Sequence, residues 1–83
     1  MRIDKYLNSV NIVKRRALSQ DMIEHKVVFL NGEVAKASKN VKIGDLIEIK
    51  FLDNTKKYKV LQIPETKNIP KSKKGEFFIE LDS

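Results

Sequence analysis

Cysteine is absent from the 83 residues, which excludes disulfides and thiolate metal sites and leaves nothing that calls for an oxidising compartment. The single histidine, His25, has neither a cysteine nor a paired acid beside it, so it reads as a helix-end residue and not as a metal ligand. Three scattered glycines cannot build a phosphate-cradling loop, and neither a Gly-x-Ser-x-Gly elbow nor a His-Glu metal pattern occurs. The longest apolar run, Val27–Leu30, falls far short of the roughly 20 residues of a membrane span. The start, Met1-Arg2-Ile3-Asp4-Lys5, lacks the apolar stretch of a secretion signal. Enzymatic activity, cofactors and metals are therefore not expected, and the chain reads as cytoplasmic.

Positive charge is what the chain has in excess. Seventeen Lys and Arg stand against eleven Asp and Glu, a net +6. Residues 1–50 hold ten basic and six acidic side chains and residues 51–83 hold seven and five, so the excess is not confined to a tail. A body this small buries only about 60% of its unfolded surface, so its core is thin and a deep catalytic cleft would be hard to build. The charge favours a polyanionic partner. An acidic membrane would require a basic amphipathic helix with a large apolar face, which is missing.

Periodicity gives a coarse architecture. Ile3, Leu7 and Val10 mark one face of a short helix, with Asp4 as a cap or first-turn acid and the turn-prone Asn8–Asn11 ending it. A second helix is predicted from about Arg15 to His25, with Ala17, Leu18, Met22 and Ile23 as its buried stripe. Val27–Leu30 and Glu33–Ala35 flank Asn31-Gly32, the strongest short hairpin signal because both turn positions tolerate positive φ. Lys42–Asp45 is a second tight turn. Leu46–Leu52 and Lys56–Ile63 alternate as strands, Pro64–Gly75 reads as a loop, and Glu76–Leu81 reads as a last strand with Phe77, Ile79 and Leu81 on one face. The expectation is an α+β fold with two short N-terminal helices packed on a small, mostly antiparallel sheet. The aromatics Tyr6, Phe29, Phe51, Tyr58, Phe77 and Phe78 read as core.

Lys14, Arg15 and Arg16 open the second helix, where the peptide dipoles already place about half a positive charge. Acids would be stabilising there, and no Ser, Thr, Asp or Asn at 14 or 15 caps the free amides, a loss of about 1 kcal/mol. The cost is intelligible if an external anion, such as an RNA phosphate, completes the tip. The plain alternative is a solvated run.

The stretches "RIDKYL", "RRALSQDMI" and "VVFLNGEVAKASKNVKIGDLIEI" resemble the RNA-binding domain named after small-subunit ribosomal protein S4. The resemblance covers residues 2 to about 50. It rests on the spacing of the Arg-Ile-Asp-Lys start, the Arg-Ala step, the Asn-Gly hairpin and the turn at Val41, Gly44 and Asp45. Two departures stand out: Lys26 occupies a position usually held by glycine, so the helix is expected to end differently, and the usual Ser or Thr helix cap is missing. The resemblance implies the αL RNA-binding motif over residues 1–52, with 53–83 completing the sheet in the same domain. It implies that Arg2, Lys5 and Arg16 share one surface that Lys36, Lys39 and Lys42 extend, with Ser38 adding a hydroxyl. For those three lysines a solvated loop is the alternative; the lysines at 67, 71, 73 and 74 read as a solubilising, mobile loop, with loose phosphate contact as the alternative. Arg2 has a flexible terminus or a pair with Asp4 as its alternatives.

Lys14-Arg15-Arg16 and the short stand-alone length further resemble a quality-control branch of the family, related to its small heat-shock member. That implies a monomer docking on the large ribosomal subunit, contacting ribosomal RNA and tRNA and supporting C-terminal tailing of stalled nascent chains with a tailing factor. A general assembly or recycling factor binding ribosomal RNA, and an adaptor that recruits proteins through its sheet edge, are the alternatives.

Overall fold

A computed structural model describes residues 1–64 and 71–81 of the chain. The elements are α1 (Ile3–Ser9), α2 (Arg16–Glu24), β1 (Val28–Leu30), β2 (Glu33–Val34), β3 (Leu46–Lys50), β4 (Thr55–Val60), a 3-10 helix (Lys71–Glu76) and β5 (Phe78–Leu81). The strands form one antiparallel sheet in the order β2-β1-β3-β4-β5. Two helices on a five-stranded antiparallel sheet is the α+β fold expected from the sequence.

The core lies between the helices and one face of the sheet. Ile3, Tyr6, Leu7, Val10 and Ile23 meet Val28, Leu30, Ile47, Ile49, Tyr58 and Val60, all buried. Tyr6 also donates a hydrogen bond from its hydroxyl to the Phe77 carbonyl at 2.9 Å, tying α1 to the chain just before β5. Burial pushes the Tyr6 phenol far above its ordinary range.

Turn chemistry sets the connections. Asn31 and Gly32 both have positive φ, 52° and 85°, the geometry that lets a two-residue hairpin follow the strand twist. The Asn31 side chain accepts from the Leu46 amide at 3.0 Å and donates to the Asp45 carboxylate at 3.1 Å, and Asp45 also accepts from the Lys42 amide at 2.8 Å. Gly44, at φ 92°, occupies the third position of that turn, where positive φ favours glycine. The Asn-Gly and Gly-Asp signals are thus one linked frame.

Several expectations are corrected. The buried face of α2 is Ser19 and Ile23, with Met22 half-buried; Ala17 is exposed and Leu18 is 47% exposed. Phe51 is not core: β3 ends at Lys50, and Phe51 is 46% exposed. Phe29, Phe77 and Phe78 are only half-buried. The core-facing residue of β5 is Phe78, opposite Val60 and edge-to-face with Tyr58 at 5.5 Å, so Ile79 and Leu81 point to the other face. Residues 71–75, read as loop, and Glu76, read as the start of the last strand, form the 3-10 helix; Lys67 lies outside the described residues.

The end of α2 also differs from expectation. Lys26 has φ 60°, its amide donates to the Ile23 carbonyl at 3.0 Å, and the Val27 amide donates to the Met22 carbonyl at 3.2 Å. These are the paired bonds of a left-handed Schellman ending. The helix ends as it would with glycine, and lysine bears the strain.

Candidate nucleic-acid interface

Asp4 organises the helix junction. Its side chain is fully buried, yet it faces three donors: Arg2 at 3.4 Å, Arg16 at 3.5 Å and Gln20 at 3.2 Å. Arg16 and Gln20 meet its Oδ2, while Oδ1, the oxygen nearest the Arg2 Nε, also accepts from the Lys5 amide at 2.8 Å. Burial alone would raise the Asp4 carboxyl. The bonds from Gln20 and Lys5 and the charges of Arg2 and Arg16 outweigh it, holding the group below the ordinary carboxylate range. Arg16 and Gln20 sit four residues apart, so both project from the same side of α2 toward α1.

The two arginine side chains remain about half exposed, at 49% and 48%. Two guanidiniums around one carboxylate leave a net positive trio whose outer edges face solvent. Arg2 is anchored further: its Nε lies 3.4 Å from the Ala37 carbonyl, and its backbone bridges Asn40. The Ile3 amide donates to the Lys39 carbonyl, and the Val41 amide donates to the Met1 carbonyl, each at 2.8 Å. These bonds bring the 37–41 segment against the chain start, so Ser38 and Lys39 stand beside Arg2, Lys39 exposed and Ser38 at its flank.

At the tip of α2, Lys14, Arg15 and Arg16 are all exposed, and no side chain caps the first turn. Asp4 engages the Arg16 guanidinium, not the tip amides. The approach to the tip is braced from behind, because the Asn8 side-chain amide donates to the Val13 and Lys14 carbonyls at 3.2 and 2.9 Å. Lys5 is half-buried on α1, next to Asp4. Lys36, Ser38, Lys39 and Lys42 line one open groove with Asn31 and Asp45. Sequence reasoning named the cations but missed Gln20 and Asn8. The i, i+4 spacing of Arg16 and Gln20 puts them on one side of α2, but only the packing of α2 on α1 sets that side against Asp4.

His25 caps the C-terminal end of α2, its Nδ1 2.7 Å from the Asp21 carbonyl oxygen, which together with the Asp21 carboxylate raises its pKa. Among the described residues, no group of three or more His, Asp or Glu side chains could hold a metal ion. No described helix is long and apolar enough to cross a membrane.

Fold and cluster together define a class: a small α+β module that presents a cationic, half-solvated helix junction on a rigid sheet. The chain belongs to the S4 domain family, whose model matches residues 1–47. It is similar to the RQC P-site tRNA stabilizing factor of Helicobacter pylori, with 54% identity over 71 residues, covering 86% of this chain and 84% of that protein. Two solved structures share the fold. The solution structure of the hypothetical protein HP1423 matches with a TM-score of 0.86 at 46% identity, covering 100% of this chain and 99% of that one. The trimeric heat shock protein 15 of Vibrio cholerae matches with a TM-score of 0.87 at 28% identity, covering 98% and 81%.

Proposed function

We propose that this protein binds RNA on the ribosome, docking on the large subunit where it contacts ribosomal RNA and a P-site tRNA in ribosome-associated quality control. By holding the tRNA in place it supports C-terminal tailing of stalled nascent chains by a separate tailing factor. Its own contribution is electrostatic and geometric, without bond chemistry. The observation that carries the reading is the Arg2–Asp4–Arg16 cluster, two half-exposed guanidiniums held side by side by a buried carboxylate. The name and 54% identity of the Helicobacter pylori relative supply the ribosomal setting.

The RNA-binding residues on this reading are Arg2, Lys5, Lys14, Arg15, Arg16, Lys36, Ser38, Lys39 and Lys42. Arginine grips a phosphate with two donors or stacks on an unpaired base, whereas lysine offers a point charge. The arginines at the junction therefore position the RNA, and the lysines of the groove add backbone attraction. The uncapped α2 tip offers its first-turn amides to a phosphate oxygen.

The test is cosedimentation with purified large subunits, either empty or carrying a peptidyl-tRNA. Wild-type protein is expected to prefer the obstructed subunits. Arg2→Ala and Arg16→Ala should each weaken binding while leaving the circular dichroism spectrum unchanged. Equal binding to both kinds of subunit would favour a general assembly or recycling role, and a folded variant that binds at full strength would remove its residue from the site.

A further inference from the structure

The sheet has a second face that the helices do not cover. Cross-strand partners lie on the same side of a sheet, and successive residues alternate. Ile47, Ile49, Tyr58 and Val60 occupy the core side, so Lys50, Lys57 and Lys59 lie on the other. Lys50 stands over the Phe29 ring at 4.6 Å, which places Phe29 on that face as well. Among the strand residues described there, Glu48, opposite Lys57, is the one acid. Neither Lys57 nor Lys59 makes an ion pair or side-chain hydrogen bond with any described residue, and Lys50 and Lys59 are exposed.

We infer that this open sheet face, with Lys50, Lys57 and Lys59 projecting from adjacent strands, is a second RNA contact that grips a phosphate backbone while the helix junction holds another RNA segment. The inference rests on the proposed function, since a protein that bridges two RNAs needs two surfaces. The body is at least 20 Å across, and the packed core separates the lysines from Arg2 and Arg16. An RNA segment confined to the junction therefore does not reach these lysines. Charge complementarity selects the occupant. An apolar protein partner would have to desolvate three ammonium groups against one carboxylate on that face, Glu48. Three point charges without a guanidinium fork suit sequence-independent backbone contact.

The experiment uses the full chain, two short RNA hairpins and the triple variant Lys50→Gln, Lys57→Gln, Lys59→Gln. Saturation stoichiometry is read by analytical ultracentrifugation, which a general reduction of charge does not change. Bridging is read as capture of a labelled hairpin by an immobilised one. Wild type is expected to bind two hairpins per monomer and to bridge. The triple variant should bind one and fail to bridge, with an unchanged melting temperature and a salt slope flatter by about 0.7 to 0.9 for each phosphate that it no longer neutralises. Wild type saturating at one hairpin, or a triple variant that still binds two, would overturn the second surface and leave the junction reading intact. Weaker binding of the triple variant to phosphatidylserine vesicles, with the second hairpin retained, would overturn it in favour of a membrane. If wild type binds no hairpin at all, the proposed function itself falls.

Discussion

Asp4 lowers the net charge of a surface proposed to bind RNA, and at first sight works against it. Its burial between Arg2, Arg16 and Gln20 gives it a different part: it holds the guanidiniums in register. Charge and geometry then make opposite predictions for Asp4→Asn. If charge alone governs binding, the variant, one unit more positive, binds RNA more tightly. If the carboxylate positions the arginines, binding weakens, and we expect the latter in a filter-binding assay. The variant should also lose about 1–3 kcal/mol of stability, the worth of hydrogen bonds to a charged group. The pH dependence has a defined sign. The folded pKa of Asp4 is lowered from the 3.8 of the free group, so its stabilisation is complete above that value and is lost as pH falls through the folded one. Urea unfolding on acidification below about pH 4 should therefore show a shallower decline for Asp4→Asn than for wild type.

At the scale of elements, the two helices are too short to persist alone, and their ends show how tertiary contacts sustain them. Lys26 holds a left-handed conformation that costs an ordinary residue about 1 kcal/mol or more. Lys26→Gly should add about 1 kcal/mol of stability, read as a higher urea midpoint with an unchanged m-value. Tyr6→Phe removes the bond to the Phe77 carbonyl and should cost about 1 kcal/mol while keeping the fold, seen as a lower melting temperature. The stripe of α2 was misread for a related reason. Ala17 and Leu18 are apolar and helical in spacing, but the inner side of α2 is set by what faces it. Ser19 packs inward because its small side chain permits close approach to α1 and its hydroxyl lies 3.5 Å from the Arg15 carbonyl.

For the whole molecule, stability is small and the charge is large. A chain of this length has about 4 to 12 kcal/mol in total. Ile49→Ala, which empties a fully buried position on β3, should cost about 2–5 kcal/mol and leave a large fraction unfolded at 37 °C, measurable by far-UV circular dichroism. The +6 net charge predicts RNA binding that weakens steeply with salt, whereas an adaptor working through apolar contact would show a shallow slope. Arg16→Ala should flatten the plot of log affinity against log salt by about 0.7 to 0.9, the value of one neutralised phosphate.

Local chemistry decided what could be read from the residues by themselves. The Asn31-Gly32 hairpin, the Gly44-Asp45 turn, the α1 stripe of Ile3, Leu7 and Val10, and the exposed cations at 14–16 follow from backbone sterics and periodicity, which act within a few residues. Only the folded chain decided which side of α2 is inward, that Phe78 and not Ile79 meets the core, and that Asp4, Arg16 and Gln20 converge. Those outcomes depend on packing and register between segments far apart in sequence, and an apolar or charged residue carries no record of which distant partner will face it.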